Sequence, residues 1–339
     1  MSGKIRTVII GMGRMGVTRY QAMKRHGGFQ IAAICDTNLD NLNGYKEVKF
    51  RDWKECIDTS EPQAVVVCTF NMVIPDVVCY ALQKGIAVFS EKPPGRTLED
   101  ALRMQETQLQ TGMILKFGFN HRVHNSIIEA KALIDSKMLG EVVCIRGVYG
   151  KAGSDNFQNE WRNHKSISGG GILLDQGIHM LDLMCYLTDS DMHVVNGNVS
   201  NLVWKDMDTE DSALAMLETE KGQQISIHSS AIQWRHKFDL DIICTNGYIA
   251  LNGLLTSTHS YGEERITYYK KDLGMKTGKL GKPKEYTMCF DADSSWDIEM
   301  EEFYEAVVNG KELVNGKPED AVRVMRIIKE IYEYKKEMG

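Results

Sequence analysis

The chain has 339 residues, which at roughly 150 residues per domain predicts about two domains. Apolar residues make up 43% and charged residues 25%, values that exclude wholesale disorder. The net charge of −6 argues against binding along a nucleic-acid backbone, and no apolar run reaches the ~18 residues that crossing a bilayer requires. We therefore expect a globular protein with neither a nucleic-acid nor a membrane partner.

The chain opens with a short polar stretch that leads directly into the apolar run Ile5–Ile10. A signal peptide would need a longer apolar core and a cleavage site flanked by small residues. The eight cysteines form no Cys-x-x-Cys pair, and most have apolar neighbours, which favours reduced, buried thiols over a zinc site. These features predict a cytoplasmic protein without a metal site.

Over residues 1–119, apolar and often β-branched runs alternate with segments of helical periodicity. Such runs are typical of strands buried on both faces of a parallel sheet. The predicted strands are Ile5–Ile10, Gln30–Cys35, Ala64–Thr69, Ile86–Phe89 and Met113–Phe117, and the clearest helices between them are Pro75–Lys84 and Leu98–Gln110. The alternation predicts an α/β domain with a Rossmann-type, doubly wound parallel sheet over residues 1–119.

The pattern changes after Asn120, where a helix over Val123–Lys137 precedes an alternating strand at Glu141–Tyr149. Neighbouring strands without long connections favour an antiparallel sheet, so we expect an α+β domain over residues 120–339. Its further strands include Ala213–Glu218, Gln224–Ser230 and Phe238–Cys244. An exposed loop or hairpin is predicted at Lys270–Lys284, and two closing helices at Ser294–Asn309 and Pro318–Glu337.

A glycine motif, Gly11-Met12-Gly13-Arg14-Met15-Gly16, joins the first predicted strand to the helical stretch Met15–His26. In a dinucleotide-binding turn the three glycines allow a tight bend, a close approach of the backbone to a pyrophosphate, and close packing of helix on strand. The helix N-terminus adds unpaired N–H groups and the positive end of its dipole. The motif predicts a nicotinamide dinucleotide as cofactor, with an ordinary turn as the alternative.

Asp36 ends the second predicted strand, 20 residues beyond Gly16. A carboxylate at this point accepts hydrogen bonds from the ribose hydroxyls and repels a 2′-phosphate. The residues that follow, Thr37-Asn38-Leu39, carry no cation that would favour such a phosphate. We therefore expect NAD rather than NADP, and a helix-capping role for Asp36 is the alternative interpretation.

Lys92 lies in the segment Ser90-Glu91-Lys92-Pro93-Pro94, at the C-terminal end of a predicted strand. Open α/β sheets bind their ligands at this edge, so Lys92 is expected to point toward the nicotinamide end of the cofactor. Glu91 is placed to hold or balance the ammonium group. The alternative is a solvated loop lysine ahead of a turn.

A second polar cluster follows three glycines at 169–171 and contains Asp175, His179 and Asp182. If Asp175 starts a helix, Asp175 and His179 lie one turn apart on the same face, and Asp182 is placed to orient the His179 ring. The alternative interpretation makes Asp175 a helix cap and His179 a packing residue.

Taken together and in this order, these motifs resemble the Gfo/Idh/MocA family, the group of glucose–fructose oxidoreductase and inositol dehydrogenase. The matching residues are the glycine loop at 11–16, Asp36, Glu91-Lys92-Pro93 and Asp175-x-Gly177-x-His179-x-x-Asp182. The resemblance implies an NAD-binding domain followed by a domain with an open, mostly antiparallel sheet. It also implies that this sheet mediates a homo-oligomer, a dimer or a tetramer.

The resemblance further implies that Lys92, Asp175 and His179 form the catalytic set for hydride transfer between a secondary alcohol of a sugar and the nicotinamide. His179 would be the general base, Lys92 would stabilise charge on the reacting oxygen, and Asp175 would position the sugar or the lysine. The division of roles between Lys92 and His179 stays open. The expected cofactor contacts are Gly11, Met12, Gly13, Arg14, Met15, Gly16, Asp36, Thr69, Asn71, Glu91 and Lys92.

Two positions depart from the family pattern. Arg19 stands where a histidine often follows the glycine loop, and Ile74 stands where a histidine often follows Asn71 by three residues. Both changes affect packing or cofactor contacts more than proton transfer, so the prediction of an enzyme is unaffected.

Two segments, Asn120-His121-Arg122 and Asp155–Lys165, are expected to contact the substrate. A tryptophan is able to cover an apolar sugar face, while basic side chains bind phosphate or carboxylate. This favours a nucleotide sugar or a sugar acid, with free sugars and cyclitols close behind. The alternative function is a non-catalytic, dinucleotide-binding regulatory protein of the same fold. The candidate substrate residues are Asn120, Arg122, Trp161, Arg162, Asp175 and His179.

Overall fold

The computed structural model describes residues 3–256, 258–271 and 284–337. The chain divides into two compact units, each assembled from separate stretches of sequence. The described residues within 1–120, 164–169 and 294–326 form the first unit, and those within 121–163, 170–293 and 327–339 form the second. The stretch at 294–326, which the sequence prediction placed in a domain over 120–339, thus packs with the first unit.

Strands and helices mostly alternate along the first third of the chain, whereas strands follow one another between residues 192 and 290. The strands are β1 Ile5–Ile10, β2 Phe29–Cys35, β3 Val48–Phe50, β4 Ala64–Val67, β5 Ala87–Glu91, β6 Leu115–Gly118, β7 Val142–Gly150, β8 Met192–Ser200, β9 Ser212–Thr219, β10 Gln224–Ser230, β11 Lys237–Cys244, β12 Gly247–Asn252, β13 Glu264–Lys270 and β14 Tyr286–Phe290. The helices are α1 Arg14–His26, α2 Trp53–Ser60, α3 Ile74–Gln83, α4 Leu98–Thr111, α5 Asn125–Asp135, α6 Lys165–Ser168, α7 Ile178–Thr188, α8 Ser295–Asn309 and α9 Pro318–Glu337.

The first unit contains a six-stranded parallel sheet in the order β3-β2-β1-β4-β5-β6. This is the strand order of a doubly wound dinucleotide-binding sheet, and it confirms the predicted Rossmann-type fold. β4 is buried along its whole length, as expected for a strand covered on both faces. The short β3 was not predicted, because three partly exposed residues carry little apolar signal.

The core of the first unit joins its sheet to helix α8. Phe303 of α8 packs edge-on against Phe89 of β5, with ring centroids 5.7 Å apart. Met300 and Tyr304, from the same helix, lie in one hydrophobic cluster with Ile9 of β1. This apolar face explains why a helix almost 300 residues from the N-terminus packs with the first unit.

The second unit contains an eight-stranded sheet in the order β14-β13-β12-β11-β7-β10-β9-β8. All neighbouring strands are antiparallel except β7 and β10, which run parallel, so the predicted mostly antiparallel sheet is confirmed. Helices α5 and α7 pack against this sheet. β13 and β14 extend it beyond the predicted strands, and the loop predicted at 270–284 lies mostly outside the described residues.

The helices of the second unit and the closing helices follow the sequence prediction closely. The helix predicted at Val123–Lys137 is α5, and those predicted at Ser294–Asn309 and Pro318–Glu337 are α8 and α9. Within the described ranges, no helix combines the length and the apolar character needed to cross a membrane.

Candidate active site

The glycine loop follows β1 in the first unit. Gly11 has φ +93°, its N–H donates to the Cys35 carbonyl at 2.8 Å, and a side chain there would overlap the Cys68 carbonyl. A Cβ atom on Gly16 would overlap the Gly11 carbonyl oxygen. Gly13 differs, because a Cβ atom there would meet nothing within 4 Å. The loop is therefore tight on its inner side and open at Gly13, which fits the close approach of a pyrophosphate.

Helix α1 begins directly after this loop, with Gly13 as its N-cap and Arg14 as its first residue. Its first turn contains no acidic side chain, so nothing there neutralises the positive end of the helix dipole. Arg14 is exposed and Met15 is half-buried. The free N–H groups and the dipole make this helix end suitable for an anionic phosphate.

Asp36 directly follows β2 and supports the glycine loop. Its Oδ2 accepts a hydrogen bond from the Met12 N–H at 2.7 Å and one from Asn41 Nδ2 at 3.2 Å. Its Oδ1 accepts from the Asn38 N–H at 2.8 Å. The sequence prediction did not include the bond to Met12, which ties the cofactor loop to the end of β2. The ribose contact of Asp36 stays a prediction.

The segment after β4 carries two further predicted cofactor residues. Thr69 is half-buried, and Asn71 is buried with its Nδ2 donating to the Ser168 carbonyl at 2.7 Å. The Met72 N–H donates to the Ile167 carbonyl at 3.2 Å. These bonds hold the single-turn helix α6 against the segment after β4, and the cofactor contacts of Thr69 and Asn71 stay predictions.

Lys92 directly follows β5 and is half-buried. Glu91, the last residue of β5, is buried and accepts a hydrogen bond from Arg19 Nε at 2.6 Å. Arg19 also donates through Nη2 to Glu299 at 2.6 Å, and its guanidinium lies 4.3 Å from the ring centroid of Phe89. Arg19, which departs from the family pattern, thus forms a buried ion-pair network with Glu91 and Glu299. The network lies at the end of the strand that directly precedes Lys92.

In the second unit, a π-helical turn at Leu173–Gly177 leads into α7. Single π turns are rare and recur at functional sites. The buried Glu210 carboxylate accepts hydrogen bonds from the N–H groups of Gly171 and Leu173 and from the Tyr332 hydroxyl, each at 2.9 Å. Burial raises the pKa of Glu210, although the hydrogen bonds oppose this shift. Glu210, which the sequence prediction missed, therefore fixes the start of the predicted catalytic segment.

Asp175 lies inside the π turn and does not cap a helix. Its carboxylate binds Lys151 Nζ at 2.5 Å, Gln176 Nε2 at 3.0 Å and Arg162 Nε at 3.4 Å. The structure thus brings together two residues predicted for the site, Asp175 and Arg162, and adds Lys151. The sequence feature that could have indicated Lys151 as a site residue is its position directly after strand β7.

His179 is the second residue of α7 and is only 4% exposed. Its imidazole stacks on that of His121, with ring centroids 3.8 Å apart and planes 14° apart. His121 Nε2 lies 2.8 Å from the Tyr149 hydroxyl. His121 belongs to a segment expected to contact substrate, but nothing local in the sequence indicated its contact with His179.

Arg122 and Asn120, both predicted to contact substrate, have well-defined protein partners. Arg122 is buried and donates to Asp182 from Nε at 2.8 Å and from Nη2 at 2.6 Å. Asp182, expected to orient His179, is therefore engaged by a two-point ion pair. In the first unit, Asn120 Nδ2 donates to Ser295 Oγ at 3.1 Å. The substrate contacts of Arg122 and Asn120 stay predictions.

The last predicted substrate residue, Trp161, is half-buried in the 3-10 turn Trp161–Asn163. The Arg162 guanidinium carbon lies 4.3 Å from the centroid of the Trp161 ring. Arg162 is thus held between an aromatic face and the Asp175 carboxylate. Among the residues that the structure describes, no three His, Cys, Asp or Glu side chains are placed to hold a metal ion.

Two family profiles match the chain and together cover most of it. Residues 5–119 match the oxidoreductase family described by its NAD-binding Rossmann fold, and residues 127–250 match the GFO/IDH/MocA C-terminal domain. The chain belongs to the GFO/IDH/MocA family of oxidoreductases. Membership confirms the predicted family, the NAD-binding Rossmann domain and the prediction of an enzyme.

Curated relatives of this family member include two sugar or cyclitol dehydrogenases. D-glucoside 3-dehydrogenase of Escherichia coli is 30% identical over 202 residues, 55% of this chain and 54% of that protein. The scyllo-inositol 2-dehydrogenase (NAD(+)) of Bacillus subtilis is 25% identical over 328 residues, 92% of this chain and 88% of that protein. The chain therefore matches about half of the first relative and most of the second.

Solved structures share the fold of this family member. A levoglucosan dehydrogenase in complex with NADH and levoglucosan superimposes with a TM-score of 0.85 at 20% identity, covering 99% of this chain and 98% of that chain. A putative NADPH-dependent oxidoreductase from Desulfitobacterium hafniense gives a TM-score of 0.87 at 18% identity, covering 100% and 97%. These likenesses confirm the fold.

Proposed function

We propose that this protein is an NAD-dependent dehydrogenase that oxidises a secondary alcohol of a sugar or cyclitol, or reduces the corresponding ketone. The observation that carries the proposal is the segment from Leu173 to His179, where Asp175 is bound by two cations and a buried histidine follows one turn later. A carboxylate and an imidazole held this way are suited to binding a hydroxyl group and exchanging its proton.

In the oxidation direction, His179 accepts the proton of the substrate hydroxyl, and in the reverse direction it returns that proton. The Lys92 ammonium donates a hydrogen bond to the reacting oxygen and stabilises the negative charge that develops on it. Asp175, oriented by Lys151 and Arg162, binds a substrate hydroxyl and fixes which carbon reacts. NAD, when bound, supplies the hydride acceptor, and Gly13 and the start of α1 would hold its pyrophosphate.

We place uncharged sugars and cyclitols first among the substrates. Lys151 and Arg162 already bind the Asp175 carboxylate, which reduces the charge that they offer to a phosphate or carboxylate on the substrate. The names of the two curated relatives, a glucoside and an inositol dehydrogenase, support the same order. Nucleotide sugars and sugar acids are the second candidates.

The proposal is tested by NADH formation, followed by absorbance, with a panel of glucosides, inositols, free sugars, sugar acids and nucleotide sugars. We expect saturable NADH formation with at least one glucoside or inositol and weaker turnover of the anionic sugars. Turnover confined to nucleotide sugars would reverse the substrate order. Binding of NAD with no turnover of any ring alcohol, in either direction, would contradict the proposed activity and favour a regulatory role.

We also propose that the exposed face of the eight-stranded sheet forms a homo-oligomer. Three apolar side chains on neighbouring strands support this: Leu214 and Met216 on β9 are 54% and 57% exposed, and Val195 on β8 is 47% exposed. Light scattering after size exclusion should give a dimer or tetramer, and the double variant Leu214→Glu/Met216→Glu should dissociate it. A monomer at micromolar concentration would contradict this arrangement.

A further inference from the structure

Two buried histidine rings face each other in the second unit. His121 lies in the 3-10 turn Asn120–Val123 and His179 near the start of α7. Their centroids are 3.8 Å apart and their planes differ by 14°, so the rings are stacked. The residues are 6% and 4% exposed. Such close, parallel packing of two imidazoles away from water restricts the tilt of both rings.

His121 is itself held by the sheet. Its Nε2 lies 2.8 Å from the hydroxyl of Tyr149, which is 3% exposed on the central strand β7. Burial and the neighbouring Tyr261 raise the pKa of Tyr149 well above its usual value, so the phenol keeps its proton at neutral pH. Phe238 packs edge-on against the Tyr149 ring at 5.5 Å. His121 is thus anchored to a rigid element through a hydrogen bond.

The orientation of His179 needs such a support. The last torsion angle of a histidine side chain has broad minima, so the ring plane is set by its neighbours and not by intrinsic preference. Proton transfer requires the nitrogen lone pair to point at the hydroxyl within roughly 10–20°. The stacked His121 ring supplies a flat surface against the His179 face.

We propose that His121 is a positioning residue, whose stacked ring holds the His179 imidazole in the plane needed for proton exchange, and that Tyr149 holds His121. This inference rests on the proposed function, because it assumes that His179 exchanges a proton with the substrate. The stack itself transfers no proton. A different explanation, that His121 only fills space in the core, predicts loss of stability without loss of turnover in the folded protein.

Three variants separate these explanations. His121→Phe keeps a flat ring but loses the bond to Tyr149, His121→Ala removes the ring, and Tyr149→Phe removes only the hydroxyl. His26→Ala is the matched control: His26 also packs on an aromatic ring, that of Tyr304 at 4.7 Å, and bonds a side chain, Glu301 at 2.8 Å, but in the first unit.

The first measurement does not depend on activity. Carbon-13 relaxation at Cε1 of His179, in protein labelled at histidine, reports the motion of the ring. We expect the ring to become most mobile in His121→Ala, to be intermediate in His121→Phe, which keeps the flat ring but loses the bond to Tyr149, and to be unchanged in His26→Ala. An equally rigid His179 ring in His121→Ala would overturn the proposal, even if the protein proved to be an active dehydrogenase.

The second measurement is the steady-state rate with the sugar or inositol that the panel identifies. We expect kcat in His121→Ala to fall roughly ten- to a hundredfold with KM near wild type, the scale of a misplaced catalytic group. His121→Phe, which keeps the ring and loses the bond to Tyr149, should recover only part of this loss, and Tyr149→Phe should lower kcat to about the same extent as His121→Phe. His26→Ala should lower Tm while keeping kcat. Equal losses in His121→Phe and His121→Ala would overturn the role of stacking, and wild-type kcat in Tyr149→Phe would overturn that of Tyr149.

The two measurements distinguish a failure of the proposed function from a failure of the positioning role. If the wild-type protein oxidises no substrate, the proposed function is contradicted, while the relaxation data still decide whether His121 restrains His179. If the protein is active and the His179 ring is unaffected by His121→Ala, only the positioning role is contradicted.

Discussion

Arg19 Nε donates a hydrogen bond of 2.6 Å to Glu91, which ties the helix after the glycine loop to the strand end that carries Lys92. The same guanidinium binds Glu299 of α8, so one buried cation joins three elements of the first unit. Burial disfavours the charge of Arg19, but Glu299 and Glu91 outweigh it and raise its pKa above the ordinary value. Arg19 therefore stays cationic inside the core.

Replacing Arg19 with Met should lower the free energy of unfolding by about 3–5 kcal/mol, because it leaves two buried carboxylates without their cation. Urea denaturation measures this change. Arg25→Met is the matched control, since Arg25 also joins α1 to α8 through Asp297 but in an exposed pair, and it should cost about 0–1 kcal/mol. Equal losses in both variants would show that the buried network contributes no more than the exposed pair.

Asp36→Ala should weaken NAD binding roughly ten- to a hundredfold and narrow the preference for NAD over NADP, since a hydrogen bond to a charged group contributes about 1.5–3 kcal/mol. Titration calorimetry with both dinucleotides measures the ratio. The control is Asp52→Ala, which removes a carboxylate that caps α2 through the Glu55 N–H at 2.9 Å. If the ratio of the NAD and NADP affinities is unchanged in Asp36→Ala, the role of Asp36 is limited to its hydrogen bond with the Met12 N–H.

Lys151→Met should lower kcat/KM by about ten- to a hundredfold, because the Asp175 carboxylate loses the cation at 2.5 Å and with it the fixed position that substrate binding needs. Steady-state kinetics measure the effect. Lys237→Met, which breaks the 2.9 Å pair of Lys237 with Asp239, is the control and should keep kcat/KM. A fully active Lys151→Met enzyme would remove Lys151 from the site.

The glycine loop, the parallel sheet of the first unit and the Asp175–His179 segment follow from the sequence because each depends on local periodicity or on a contiguous motif. The partners of these residues do not. Arg19 and Glu299 are 280 positions apart, and the stack of His121 on His179 joins a turn to a distant helix. No local pattern reports such contacts, since only the folded sheet order brings the residues together.

The π turn was beyond sequence prediction for a different reason. A wider turn and an α-helical turn share the same apolar spacing over five residues, so periodicity does not distinguish them. The start of this turn is held by the Glu210 carboxylate, which binds the N–H groups of Gly171 and Leu173 from 39 and 37 positions away.

Glu210 also makes stability depend on pH. Burial raises its pKa in the folded protein, so above the ordinary carboxyl range the folded state holds more protons than the unfolded state, and stability falls as pH rises through the raised pKa. Glu210→Gln removes this titration. The stability advantage of wild type over the variant should therefore shrink between about pH 4 and neutrality, as measured by urea denaturation across that range. An advantage of wild type over Glu210→Gln that grows with pH would contradict the assigned direction.

The most direct test of the central claim, that His179 exchanges the substrate proton, is the pH–rate profile of His179→Gln beside its melting temperature. Glutamine keeps a polar group of similar reach but exchanges no proton, so kcat should fall by about 10²- to 10⁴-fold and the acid limb of the profile should flatten, with the protein still folded. A variant with a lower Tm, wild-type kcat and an unchanged acid limb would contradict the claim.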